Sequence, residues 1–547
     1  MSGEIRIRFE DGSESEYAIG TTLLEIAKER QSQHLSTIVA ARVNNALTDL
    51  QSRLNTDAEV SFFDLLSGQG VKVYERSLTF VLIIAAQRLF PGKDIVVEHS
   101  LGNGVYFEWL LGRPVTETDV DLLQQEMSEI IADNLPIVRH NLPLSEAIRQ
   151  FETLGNMEKV RLLRQVERDT VSLYTCRGVM DYFYGPMVPE TVYLKHFELK
   201  YYAPGFMLLF PDKTDPNHVA PFVDNPKLAQ IFLEAERWGE LLGCSTVAHL
   251  NENLTAGGFI EIMRIAEALH EKKVAAIADM VDVRRRSVKI ILIAGPSSSG
   301  KTTFIQRLGI QLRILGIRPV PISLDNYFLE REQSPKDSNG DYDFESIHAL
   351  DLPLFNDQLV QLLEGKVVEP PCFNFKTGRR EYPGKKIQVG PDHVLIVEGI
   401  HGLNPDLTAA IPRNQKMLIF ISALTQLAID NHNRIPTTDT RLIRRIVRDN
   451  QFRSHDALQT IRIWPSVRSG EEVNIFPFQE QADVMFNSAL IYELAVLRQY
   501  AEPLLAKITP EYPEYLEARR LTGFLRHFRL APADQVPSTS ILREFIG

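Results

Sequence analysis

Cysteine is scarce in this chain. Its 547 residues hold three, Cys176, Cys244 and Cys372, far apart and in no CxxC pair, so neither a disulfide framework nor a cysteine zinc site is readable. Long apolar runs are also missing. Stretches such as residues 80–86 and 290–294 fall far short of the about 20 residues that a membrane-spanning helix needs. The opening MSGEIRIRFEDGS lacks the apolar core of a signal peptide. A soluble, reducing, cytoplasmic setting without a membrane partner is therefore expected. Positive charge is in deficit: Lys plus Arg is 59 and Asp plus Glu is 71, a formal net charge of -12. That argues against nucleic-acid binding by bulk charge and leaves a local basic site open.

What is present is an ordinary globular composition, 44% apolar and 24% charged, which excludes a mainly disordered protein. At about 150 residues per domain the length suggests three to four domains. In the first of these, Ile5, Ile7 and Phe9 alternate with polar residues, and Asp11-Gly12 follows as a hairpin turn. A helix is predicted over residues 22–30, with strands near 38–43 and 59–63, which together read as a β-grasp-like unit over residues 1–66. Residues 67–212 alternate helices, near 76–89, 122–134, 145–154 and 157–167, with a strand-rich stretch at 171–210. Residues 213–286 read as a connector, with a proline-rich loop at 211–226 and helices near 228–243 and 259–285. The basic run Arg284-Arg285-Arg286 reads as a solvated connector. From 287 to 547 short apolar runs at 288–294, 319–324, 393–397 and 417–421 alternate with helical segments, the pattern of a doubly wound parallel sheet. The fold class is α/β multidomain.

The strongest motif is Gly295-Pro296-Ser297-Ser298-Ser299-Gly300-Lys301-Thr302-Thr303. It fits GxxxxGK[ST] between an apolar strand and a predicted helix, the context that gives the motif meaning. The glycines let backbone N–H groups curl around phosphates, and the helix start adds partial positive charge. Lys301 can reach β- and γ-phosphates, and the Thr302 hydroxyl can ligate Mg²⁺. Asp325 and Glu398 each end a predicted strand, where parallel strands converge on a ligand crevice. With Thr302 they form a candidate Mg²⁺ set, and Asp325 can also take the proton of an attacking hydroxyl. Arg441, Arg444, Arg445 and Arg448 stack along one helix face. They read either as a phosphate-gripping lid or as a solvated or nucleic-acid-binding face.

Six stretches, GPSSSGKTT, SLDNYF, YDFESIHALD, PCFNFKTGRR, VLIVEGIHGL and TRLIRRIVRDNQFR, occur in the order found in the uridine kinase and phosphoribulokinase family. Over roughly residues 288–489 the chain resembles that family of P-loop kinases. The resemblance implies phosphoryl transfer from ATP, with Mg²⁺, to a nucleoside or sugar hydroxyl. It makes Asp325 the general base and a magnesium-side acid, and Glu398 the second such acid. Glu345 falls at the ribose-binding acid. Arg448 and Arg453 fall at lid arginines, with Arg445 at another, and Tyr327 lies in the acceptor-side SLDNYF stretch. Base-reading positions depart: Phe373 and Gly378 stand where uridine kinases place tyrosine and histidine, His455 at a lid arginine and Ile463 at a glutamine. A site without those polar groups discriminates poorly between bases. Family members assemble, which suggests a homo-oligomer.

The N-terminal part carries FEDGS and GTTLLEIA, then YERSLTFVLIIAAQRLFPG, then FYGPMVP and KHFEL. Over roughly residues 1–212 it resembles the TGS domain and second additional domain of threonyl-tRNA synthetases. That editing domain carries HxxxH and CxxxH metal pairs. Here Arg76 and Phe80, then Phe183 and Met187, stand at those positions, and none suits zinc. A retained fold with lost metal ligands is expected. Three functions remain open: a nucleoside kinase making a 5′-monophosphate, a kinase of a non-nucleoside sugar, and a nucleotide-switched module that binds tRNA or another RNA.

Overall fold

Alternation at the start of the chain becomes a sheet in the computed structural model, which describes residues 3–336, 340, 342–374, 377–425 and 427–547. Strand Glu4–Phe9 buries Ile5, Ile7 and Phe9 and exposes the residues between them. It pairs antiparallel with Glu14–Ala18 and parallel with Ala58–Phe63. Ala40–Val43 and Ala46–Thr48 complete five strands, and helix Leu23–Arg30 packs on them. Thr22 starts that helix through a capping box with Glu25, which satisfies two otherwise unpaired N–H groups.

The next helix, Gly68–Leu89, begins eight residues before its predicted start, because Ser67 caps it by accepting the Gly70 N–H. With helix Glu117–Ala132 it covers a four-stranded antiparallel sheet made of Ile95–Leu101, Gly104–Trp109, Glu198–Tyr202 and Gly205–Leu209. A second sheet, Val138–Pro143, Thr170–Cys176 and Val179–Tyr182, lies beside it with helices Leu144–Thr153 and Met157–Leu163. Its inner face joins the connector and the C-terminal half in one apolar core. The connector folds as helices Pro226–Leu241, Val247–Thr255 and Phe259–Val283, the second of them unpredicted.

In the C-terminal half five strands form an all-parallel sheet in the order Arg318–Ser323, His393–Glu398, Ile290–Ala294, Lys416–Ser422, Val484–Asn487. Ile290–Ala294 is buried throughout, as a central parallel strand must be. Val484–Asn487 is the strand that the apolar runs did not announce. The register places Ser323 opposite Glu398 and Glu398 opposite Ile293, so three strands end together.

A buried charge network locks the halves. Lys159 lies 2.9 Å from both Asp181 and Asp430, and Asp181 also meets His432 at 2.5 Å. No helix among the described residues is long and apolar enough to cross a membrane. Between the four-stranded sheet and the connector, burial and the Glu236 and Glu108 carboxylates push Glu98 up to about 8. Burial and Glu108 push Glu236 up to about 7. Raised acids favour the fold below their ordinary pKa near 4.5, and that contribution disappears as pH climbs through 7 to 8. Thermal melts should therefore show Tm falling from about pH 5 and levelling off above about pH 8, with Glu98→Gln flattening the fall.

Candidate active site

The phosphate loop follows the central strand. A Cβ on Gly295 would come within 2.0 Å of the Ile421 carbonyl oxygen, and Gly300 takes φ +81° as it starts helix Lys301–Ile314. Only glycine suits both positions. Ser298 also adopts positive φ. Among the described residues, the hydroxyls of Ser298 and Ser299 are buried without a hydrogen-bond partner. Such orphaned groups in a loop at a helix start are what a bound phosphate would satisfy.

Lys301 Nζ donates to the carbonyls of Gly295, at 2.8 Å, and Pro296, at 3.1 Å. Burial pulls its ammonium down, and the Glu544, Glu398 and Asp325 carboxylates oppose that. Asp325 sits two residues beyond its strand. Its surface is open to the crevice, yet crowding by protein raises its carboxyl, against the pull of Lys301 and Arg453. Glu398 ends the neighbouring strand. Burial raises it first, Lys301 lowers it, Asp325 and Glu544 raise it further, and the nearby Thr302 hydroxyl lowers it. The structure thus brings Lys301, Thr302, Asp325 and Glu398 together. Two carboxylates and a hydroxyl beside the phosphate loop are an oxygen donor set that fits Mg²⁺.

The arginine helix runs Thr437–Phe452, and its cationic face divides. Arg441 and Arg444 are fully buried and pair with Glu471 and Glu493. Arg441 Nε also donates to the Ser297 carbonyl at 3.0 Å, and Arg444 donates to the Ser298 carbonyl at 3.3 Å. These two are not lid arginines facing a substrate; they fasten the helix to the loop. Arg445, Arg448 and Arg453 instead gather on Asp449 at 3.2, 2.8 and 3.6 Å. Arg445 also donates to the Ser297 hydroxyl at 2.8 Å.

On the acceptor side Glu345 is half-buried. Burial first, then Glu471, push its carboxyl up to about 7, against Arg445. Tyr327 is buried, with its hydroxyl donating to Gln358 at 2.9 Å and its ring against Phe355; it belongs to the core. Phe373 packs on Phe328. His455 is exposed, its backbone N–H donating to the Asp449 carbonyl. Of the stretch PCFNFKTGRR, Phe375 and Lys376 lie outside the described residues. Two carboxylates escaped the sequence reading. Glu471 accepts the Ser297 N–H at 2.9 Å, and Glu544 accepts from the Thr303 N–H and hydroxyl at 3.2 and 3.1 Å. Neither lies in a motif, and each reaches the loop across more than 170 positions, so no local signal reveals it.

At the synthetase-like metal positions, Phe80 and Phe183 meet edge to face at 5.6 Å and Arg76 donates to the Pro186 carbonyl at 2.7 Å.

A parallel sheet whose central strand leads into a phosphate loop, with two acids close by, is the arrangement of a P-loop nucleotide-binding domain. Residues 290–492 match the phosphoribulokinase / uridine kinase family, and the C-terminal half carries a domain of that family. The N-terminal region matches threonine–tRNA ligases: that of Desulforamulus reducens is 32% identical over 196 residues, 36% of this chain and 31% of the ligase. The ligase of Symbiobacterium thermophilum is 32% identical over 200 residues, again 36% and 31%. The chain thus spans under a third of these relatives' length. Among solved structures, a D-glycerate 3-kinase from Cryptococcus neoformans shares 17% identity at a TM-score of 0.23, covering 47% of this chain and 87% of its own.

The buried and exposed arginines separate by stability. Arg441→Ala leaves the buried Glu471 with Arg468 alone and should cost about 3 kcal/mol. Arg453→Ala, at a side chain 55% exposed, should stay within about 0.5 kcal/mol of the parent. Urea unfolding of both variants checks this.

Proposed function

We propose that the C-terminal half transfers the γ-phosphate of ATP to the 5′-hydroxyl of a nucleoside of the uridine or cytidine type. The observation that carries this reading is the convergence of Asp325 and Glu398 on Lys301 at the mouth of the phosphate loop. Backbone N–H groups of Gly295 to Thr303 and the Ser298 and Ser299 hydroxyls cradle the phosphates. Lys301 turns from the loop carbonyls to the phosphate oxygens. Thr302, Asp325 and Glu398 would hold Mg²⁺, which when bound neutralises charge on those oxygens. Asp325, its carboxyl raised by crowding, takes the proton of the acceptor hydroxyl, a task suited to a base closer to neutrality. Arg448 and Arg453 supply positive charge where negative charge builds on the transferring group. Glu345 and Arg445 orient the acceptor.

One observation favours a second reading, a non-nucleoside sugar acceptor. The Phe373 ring packs on Phe328 and offers no hydroxyl to a base, and Gly378 offers no side chain. An ADP-release screen across nucleosides and sugars decides between them. Release with uridine or cytidine supports the first reading, release with sugars alone moves the assignment to the second, and release with neither overturns the kinase.

Two measurements test the residue roles. Asp325→Asn should abolish turnover while ATP binding persists; turnover near that of the parent would remove Asp325 from the mechanism. Glu345 accepts hydroxyl hydrogens best when ionised, so kcat/KM for the acceptor should rise as pH passes about 7. Glu345→Gln should erase that step.

A further inference from the structure

Helix Gly68–Leu89 turns Lys72, Glu75, Arg76 and Thr79 to one side, the i, i+3, i+4, i+7 spacing of a single face. That face walls a cavity of about 1400 Å³ where all parts of the chain meet. Arg168 and Tyr184 come from the N-terminal half, Phe232 from the connector, and Thr437 to Asp439 with Arg520 from the C-terminal half. No residue from Gly295 to Thr303 lines it, although Arg441, which holds the Ser297 carbonyl, does.

Of the four carboxylates that line it, Glu75, Asp439 and Glu472 pair with arginines, and the fourth is the raised acid Glu98. Glu75 pairs with Arg434 at 2.8 Å, and Asp439 pairs with Arg520 through two contacts of 2.6 and 2.7 Å. Among the described residues four lining cations have no carboxylate partner, the exposed Arg519 and three half-buried ones. Arg76 donates to the Pro186 carbonyl at 2.7 Å, and Arg168 donates to the Gly523 carbonyl at 2.9 Å while lying over the Tyr184 ring. Lys72 makes no hydrogen bond or ion pair among the described residues. The nearby Arg520 charge and burial depress its ammonium, which Glu517, Asp439 and Glu75 only partly offset. Three half-buried cations without carboxylate partners, lining one cavity, are an uncompensated charge that a multivalent anion relieves. The volume far exceeds that of the phosphates alone and leaves room for an organic part with aromatic walls.

We propose that this cavity binds a small molecule bearing a di- or triphosphate group, with Lys72, Arg76 and Arg168 on its phosphate oxygens. The site does not depend on the kinase reading, because it uses none of the phosphate-loop residues. Its first test is calorimetric titration of the full chain with inorganic tripolyphosphate, in the parent and in a Lys301→Ala background that weakens the phosphate loop. Adding Lys72→Met should weaken binding at least about tenfold in the Lys301→Ala background, the loss expected for one charge-assisted hydrogen bond. Lys72→Arg should restore it. Unchanged affinity with Lys72→Met in that background overturns the site. So does a loss that Lys72→Arg fails to restore, which marks a structural lysine. Binding of a single-stranded RNA oligonucleotide with none of tripolyphosphate overturns the small-molecule assignment in favour of an RNA surface.

Discussion

The kinase half is organised around one guanidinium. Arg441 holds the Ser297 carbonyl through Nε and Glu471 through Nη2, while Glu471 accepts the Ser297 N–H. Both backbone groups of one loop residue are thereby fixed by a single ion pair with almost no solvent exposure. In so dry a setting, charge-assisted hydrogen bonds are strong only while each member keeps its partner. Arg468 adds a second contact to Glu471 at 3.1 Å. The loop that cradles phosphate is therefore shaped by helices more than 140 residues further along the chain.

That arrangement explains how an acidic protein maintains a phosphate site. Its cations are sorted by depth. Arg441 and Arg444 are neutralised by buried carboxylates and serve as struts, while Arg445, Arg448 and Arg453 share the one buried Asp449. Three arginines on one carboxylate retain net positive charge at the crevice. Carboxylates balance Lys301 from the other side, and the crowding that raises Asp325 and Glu398 keeps those acids closer to neutral than surface acids. The crevice thus pairs poised acids with surplus cations, whereas the net charge of -12 resides on the rest of the surface.

Much of this was legible in sequence because the signals are local. A strand, a glycine loop and a helix start declare themselves within fifteen residues, and the β-grasp unit shows in the alternation of Ile5, Ile7 and Phe9. The strand-end acids followed from parallel topology. The fate of Arg441 and Arg444 was not legible, since a four-arginine helix face looks alike whether solvated or buried. Their partners sit 30 and 49 positions away. Strand Val484–Asn487 was missed because four residues carry too little periodicity. Tyr327 shares a motif with Asp325 yet turns into the core, because successive residues of a short helical turn point in different directions.

The join between the halves is built to hold one geometry. The sheet of Val138–Pro143, Thr170–Cys176 and Val179–Tyr182 shares an apolar core with the C-terminal helices. Within it the Tyr182 hydroxyl meets His527 at 3.1 Å, and Asn251 donates to the His527 carbonyl at 2.8 Å. Lys159, held between Asp181 and Asp430, adds a charge that any sliding would leave buried and unpaired, at a cost of several kcal/mol. An interface that merely stuck two modules together would need no such network, since apolar contact alone tolerates shifts of register. A fixed register is required only if residues from both sides must meet at set positions. Lys72 and Arg76 from one half and Asp439 and Arg520 from the other do meet in this way, around a single cavity. The N-terminal half therefore forms one wall of that shared cavity, held in place by packing and charge.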